Sequence, residues 1–395
     1  MSGRQDAPKT ATLSRYAGLM RACRLVNCRI LTEAGPVAGA ELAIEDGVIR
    51  GLSEGAAPVV DLDGALVAPG IVDLHGDAFE RQIMPRPGVY FDMALALADT
   101  DRQLLANGIT TAYHALTWSW EPGLRGTKHA RAFVAALEAN RARLGCDTKL
   151  HLRWEVFNLD AAEEAQNWIA GGRVDLLAFN DHTPGMVAGS RGPAHAAKIA
   201  ERTGLAAADF AALLDRVWSR RDDVTAANAA LAAAARARGI PMASHDDRDP
   251  ADRRRFRELG CTLCEFPMTP ETARTAREGG DHVLMGAPNA VRGGSHLGLM
   301  SAESSVRAGD CGVLTSDYYY PALLQAPFAL ARKGAADLAA LWGLVSGGPA
   351  HAAGLADRGR IEAGKRADLI VLDDADTGPV RVKATYVAGR QAFAA

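Results

Sequence analysis

His75-Gly76-Asp77 sets an imidazole and a carboxylate two residues apart at the end of an apolar run, Ile71–Leu74. Alternation along a strand puts His75 and Asp77 on one side, where both can reach a single metal ion. By the same parity Asp73 falls on that side one layer deeper, as a hydrogen-bonding support. Four further apolar runs end on ligand-type side chains. Leu150–Phe157 carries Glu155 near its end, Val174–Phe179 runs into His182, Ile240–Ser244 into His245, and Gly312–Thr315 into Asp317. A carboxylate inside an apolar run, as in Trp154-Glu155-Val156, is costly to bury unless it is paired or bound to metal. One such residue alone reads as structural; five strand ends agreeing read as a site. The six candidate ligands are therefore His75, Asp77, Glu155, His182, His245 and Asp317. Imidazole with carboxylate suits a divalent cation, zinc first and manganese or iron at some cost in affinity.

The controls are His114, His151 and His282, which lie inside or at the start of apolar runs and read as structural. His129 and His195 fall in helical stretches and read as surface. Cys261-Thr-Leu-Cys264 has no second pair nearby, and its spacing sends the two sulfurs to opposite faces of a strand, so both read as core. Gly359–Lys365 fits a phosphate-loop pattern, but Arg366 stands where Ser or Thr is needed and no buried strand precedes it.

The elements that position these residues alternate. After Pro69-Gly70 come eight apolar runs: Ile71–Leu74, Ile109–Leu116, Leu150–Phe157, Val174–Phe179, Ile240–Ser244, Cys261–Phe266, His282–Met285 and Gly312–Thr315. Helical stretches lie between them, clearest at Lys128–Arg143, Ala161–Ala170 and the long Ala-rich Pro193–Gly239. Continuous apolar runs are the mark of parallel strands buried on both faces. Eight such units over 69–352 predict a (β/α)8 TIM barrel, whose active site lies at the C-terminal ends of its strands. Short strand-like runs at 22–68, with an Asp46-Gly47 hairpin turn, and at 353–395 predict one small β-sandwich built from both termini. Residues 1–21 read as a flexible leader.

Composition bounds the rest. The chain has 395 residues, 48% of them hydrophobic, a net charge of −3 and 6% aromatics. Length alone suggests two or three domains. The charge excludes a global basic surface, and the few aromatics argue against stacking on nucleic acid. The sequence holds no apolar run of membrane-spanning length, and its opening residues lack the apolar core of a secretory signal. Six scattered cysteines fit a reducing cytoplasm rather than a disulfide framework. Homo-oligomerisation is left open.

These features resemble the amidohydrolase superfamily across residues 22–392, through Ala68-Pro-Gly-Ile-Val-Asp-Leu-His75 and Gly359-Arg-Ile-Glu-Ala-Gly-Lys-Arg-Ala-Asp-Leu-Ile-Val-Leu372. A narrower resemblance is to the α-D-ribose 1-methylphosphonate 5-triphosphate diphosphatases of the carbon–phosphorus lyase pathway. It is carried by the segment from His75 to Gly88, Asn180-Asp-His-Thr-Pro-Gly185, Ser244-His-Asp-Asp247, the segment from Gly286 to His296, and Ser316-Asp-Tyr-Tyr-Tyr-Pro321. The resemblance implies a metal-dependent hydrolase with one or two ions, acting on a small anionic sugar triphosphate and releasing pyrophosphate. It implies Asp317 as the group that takes a proton from water. Arg81, Arg86, Arg292, Ser295 and His296 become candidates for holding the triphosphate, with Gly293-Gly294 admitting phosphate oxygens. Two departures stand out: His75-x-Asp77 replaces the usual His-x-His, and Glu155 is the candidate bridge where many members use a carboxylated lysine. Glu155, His182 and His245 also fall one strand earlier than the commonest layout, which implies an overlooked strand or a migrated bridge. The rival on the same scaffold is an amide or cyclic-amide hydrolase, and a catalytically dead barrel is the other alternative.

Overall fold

The computed structural model describes residues 22–51, 57–189, 200–293, 300–374 and 378–395. The expected leader, and Ser295 and His296, lie outside the described residues. Eight parallel strands follow one another in a single sheet in chain order: β6 (Ile71–Gly76), β7 (Ile109–Trp118), β8 (Asp147–Glu155), β9 (Leu176–Asn180), β10 (Met242–His245), β11 (Leu263–Glu265), β12 (His282–Gly286) and β13 (Val313–Thr315). A parallel bridge between Gly76 and Asp317 joins the last strand to the first and closes the barrel. Every one of the eight expected runs is a strand, and among the described residues no barrel strand was overlooked. The third, fourth and fifth barrel strands do lead to Glu155, His182 and His245.

The barrel strands are buried almost throughout, as their continuous apolar composition requires. Val72, Leu74, Leu176, Ala178, Ala243, Leu263, Leu284 and Val313 pack together in the lower lumen with Ala350 and Ala352 of the helix Gly347–Ala352. The Ala-rich stretch is not one helix. Its described part includes the helices Ala207–Trp218 and Val224–Ala237, separated by a tight turn at Arg221–Asp223, with residues 200–203 helical before them.

The two chain ends build one mixed sheet: β1 (Ala22–Thr32), β2 (Gly35–Glu45), β3 (Val48–Gly51), β4 (Val59–Asp61), β5 (Leu66–Pro69), β14 (Leu369–Asp373), β15 (Arg381–Val387) and β16 (Arg390–Ala394). Strand β1 forks. Its first half pairs with β4 and its second half with β5, which lets the sheet wrap a small core of its own around Leu25, Leu42, Ile44, Val67, Leu369 and Tyr386. Asp46 and Gly47 both take positive φ, 49° and 79°, in the two-residue turn read from sequence. The link between the ends is β5 against β14, with Leu66–Pro69 antiparallel to Leu369–Leu372. All six cysteines are buried and unpaired. Among the described residues no helix is long and apolar enough to cross a membrane.

Candidate metal centre

The first barrel strand is bulged. Leu74 packs in the lower lumen, yet His75, the next residue, also faces inward, its ring 5.1 Å from that of His151 and 5.3 Å from that of His245. The register against β7 shifts between Asp73 and Gly76, and a bulge of this kind re-aims a side chain. Simple alternation therefore misplaces Asp73. It lies on the outside of the strand, where it accepts from Ser316 Oγ at 2.5 Å, Ser316 N at 3.0 Å and His75 N at 3.3 Å. Those bonds, with Asp317 N donating to His75 O and Asp77 N to Asp317 O, clamp the first strand to the last. Gly76 is required at this seam. A Cβ there would meet Asp73 Oδ2 at 2.7 Å, Ser316 Oγ at 2.8 Å and Tyr320 Cε1 at 2.9 Å.

Three groups of side chains in the upper lumen bring their ligand atoms within 4.8 Å of one another: His75, Asp77 and Asp317; His182, His245 and Asp246; and His75, His151 and Glu265. Five of the six expected ligands are thus gathered. Glu155 joins none of the three. Its Oε1 accepts from Thr183 N at 3.3 Å and Thr183 Oγ1 at 2.8 Å, and its Oε2 lies 3.3 Å from His182 Nδ1, so it positions His182.

Sequence reasoning missed four members. His151 was read as structural, but it shares a face with Arg153 and Glu155, and that alternation was the available signal. Glu265 was hidden behind the Cys261–Cys264 pair, and Asp246 behind His245. Arg153 sits between Leu152 and Trp154 inside the third strand, its side chain 6% exposed.

The electrostatics follow from burial. Burial drives His75 and His151 down to about 3 and His245 to about 4, so all three are neutral, as metal ligands must be. Burial also opposes charge on His182, but the Asp246 and Glu155 carboxylates more than offset it and lift that group to about 9. Asp317 is pushed up to about 7 by burial and by the neighbouring Asp77. Asp246, Phe266 and Asp317 hold positive φ of 57°, 52° and 54° at the ends of β10, β11 and β13. Such backbone is costly for a residue like phenylalanine, and it puts the Phe266 ring against both His75 and His245.

The donor set fits a divalent cation. His75 Nδ1, His151 Nε2 and Glu265 Oε1 are all buried and lack hydrogen-bond partners among the described residues. Buried polar atoms are rarely left so, and these three, with His75 Nδ1 also 3.1 Å from Glu265 Oε2, form a candidate site for an ion.

Around this centre, Arg81 and Arg292 converge on Tyr318, the residue after Asp317. The Arg81 guanidinium lies 6.0 Å from the Tyr318 ring centre, and Arg292 Nη1 donates to Tyr318 Oη at 3.3 Å. Both arginines are exposed. Arg86 is exposed on the loop after the first strand, its backbone bridged to Val89.

A model described as the amidohydrolase family matches residues 329–393. The chain is 31% identical over 382 residues to α-D-ribose 1-methylphosphonate 5-triphosphate diphosphatase of Escherichia coli (strain K12), covering 93% of this chain and 99% of that protein. Among solved structures it is similar to dihydropyrimidinase from Brevibacillus agri NCHU1002, with a TM-score of 0.61 at 14% identity over 94% of each chain. It is also similar to N-acetylglucosamine-6-phosphate deacetylase from Pasteurella multocida, with a TM-score of 0.62 at 12% identity over 95% of this chain and 100% of that one. At such identities these two likenesses speak for the fold alone.

Proposed function

The chain belongs to the amidohydrolase superfamily, and on that premise we propose that it hydrolyses α-D-ribose 1-methylphosphonate 5-triphosphate to the 5-phosphate ester and pyrophosphate. The observation that carries this reading is the pairing of Arg81 and Arg292 around Tyr318, the residue that follows Asp317 in the chain. Two guanidinium groups at the mouth suit a polyanionic substrate such as a triphosphate, because arginine holds phosphate oxygens in bidentate fashion. Full-length similarity to a protein named for this reaction supports it further.

His75, His151 and Glu265, next to the Asp77 and Asp317 carboxylates, would hold a divalent cation, zinc by the donor set or else manganese or iron. Such an ion, when bound, makes water a nucleophile near neutral pH and screens phosphoryl charge. Asp317 takes the proton as the water oxygen attacks the phosphorus nearest the ribose. The bond from that phosphorus to the bridging oxygen breaks, and the electron pair leaves with pyrophosphate. That leaving group is stable enough that no general acid is essential. Arg81 and Arg292 take up the negative charge of the departing end.

Phosphorus NMR of the metal-loaded protein with the ribose phosphonate triphosphate tests this. Pyrophosphate as first product supports the reading. Orthophosphate as first product, or turnover of cyclic amides without turnover of the triphosphate, overturns it.

A further inference from the structure

Arg153 reaches into two of the three candidate ligand groups. Its Nη1 donates to Asp77 Oδ2 at 3.0 Å, and its Nη2 lies 3.0 Å from His245 Nε2. A guanidinium stays protonated and can only donate. His245 Nε2 is therefore the acceptor of that bond. Its Nδ1 then carries the hydrogen, which it donates to Glu265 Oε2 at 3.1 Å. Both nitrogens of His245 are engaged. The group of His182, His245 and Asp246 has lost a ligand, and the group of His75, Asp77 and Asp317 has one Asp77 oxygen taken by a cation already in place.

Arg153 donates no hydrogen bond to the third group among the described residues, although its charge is felt at His75 and His151. His151 Nδ1 lies 3.0 Å from Leu74 O, a carbonyl that can only accept, so this nitrogen carries the proton and Nε2 carries the lone pair. That lone pair faces Glu265 Oε1 at 3.7 Å. Two acceptors face each other in a place closed to water, with His75 Nδ1 beside them and no hydrogen-bond partner for any of the three among the described residues. Facing acceptors need a proton or a cation between them, and a site beside His75 Nδ1 suits the cation.

We propose that the chain holds one divalent cation, in the His75–His151–Glu265 group, and that the Arg153 guanidinium stands where a second ion would otherwise bind between Asp77 and His245. This rests on the reading above that the reaction needs a divalent cation. The consequence is a hybrid centre, in which one positive charge is exchangeable and the other is built into the third barrel strand. The fixed charge cannot be stripped by chelators or diluted away.

The test counts metal in the full-length protein, loaded with Zn²⁺ and separately with Mn²⁺, desalted, and measured by inductively coupled plasma mass spectrometry. Wild type is expected to carry one ion per chain, R153K one, and R153M two. E265Q is expected to fall to none, while D246N keeps one. Circular dichroism checks the fold of each variant, and if R153M does not fold, the wild-type count and the E265Q and D246N pair still decide. Two ions in wild type, R153M folded with one, or loss of the ion from D246N but not from E265Q would each overturn the proposal. No ion in wild type under either metal would overturn the metal-dependent reading itself, and so is distinguishable from failure of the one-ion inference.

Discussion

Replacing Gly76 with alanine should damage the seam between the first and last barrel strands. The added Cβ would lie 2.7–2.9 Å from Asp73 Oδ2, Ser316 Oγ and Tyr320 Cε1, where ordinary contact begins near 3.4 Å. None of the three can retreat cheaply. Asp73 is pinned by three hydrogen bonds, Ser316 is fully buried, and the Tyr320 ring is packed in the core. Overpacking of this kind costs about 1–3 kcal/mol. Displacing the Asp73 carboxylate weakens bonds to a charged acceptor that are worth about 1.5–3 kcal/mol each. A total loss of about 3–6 kcal/mol follows if one such bond is given up, against a typical whole-protein stability of about 5–15 kcal/mol. The matched control is Gly312→Ala beside β13, where a Cβ meets nothing within 4 Å. Urea unfolding followed by circular dichroism should place G76A far below both wild type and G312A, with G312A within about 0.5 kcal/mol of wild type. A G76A midpoint equal to that of G312A would refute the claim that the seam is closed this tightly.

The remaining expectations concern charge and the mouth of the barrel. Arg253 is wholly buried between Asp247 and Asp281, so Arg253→Met should cost about 3–5 kcal/mol in urea unfolding, and a loss under 1 kcal/mol would contradict the burial argument. His114, packed edge-on against Phe79 and Phe133, is held neutral by burial at about 4. Its unfolded value is higher, near 6.5, so its contribution is complete above that pH and is lost as pH falls through 4, by about 3 kcal/mol in all. The melting temperature of His114→Phe should accordingly approach or pass that of wild type between pH 7.5 and pH 5, and an unchanged gap would count against it. Asp317→Asn should keep its fold and lower turnover by about 10²- to 10⁴-fold, and full activity would remove Asp317 from the role of base. Arg81→Ala and Arg292→Ala should raise KM for the triphosphate, more at low salt than at high, and an unchanged KM in both would leave Tyr318 without its proposed partners in binding.

The barrel was legible because parallel strands covered on both faces are written as unbroken apolar runs. Leu176–Phe179 shows this pattern, bounded by polar residues and too short for a typical helix. His75, Asp77, His182, His245 and Asp317 were legible because they interrupt such runs at the end where a barrel keeps its site. Arg153 was not, because it sits within a strand between apolar neighbours and looks like an isolated buried charge; Glu265 closes its strand as Glu155 does, but the Cys261–Cys264 pair drew the reading of that run. The bulge after Asp73 left no trace in residue type, so parity put Asp73 inside when it lies outside. The last strand, Arg390–Ala394, was missed because it is short and only half-buried, with little hydrophobic signature. Glu155 was recognised as a costly buried carboxylate; what could not be read was that the threonine after His182 would satisfy it.

The pairing of Leu66–Pro69 with Leu369–Leu372 sets an order of events at the ribosome. About 300 residues separate the two partners, so at roughly 5–20 residues per second the first waits on the order of 15–60 s for the second. Every barrel strand, through Thr315, is synthesised within that interval. The nascent chain thus passes through a stage with a complete set of barrel strands and a bare β5 edge, a template for pairing with a neighbouring nascent chain on the same message. Stop codons placed shortly before residue 369 should release chains that associate through this edge, even though every residue of the metal centre is already in place.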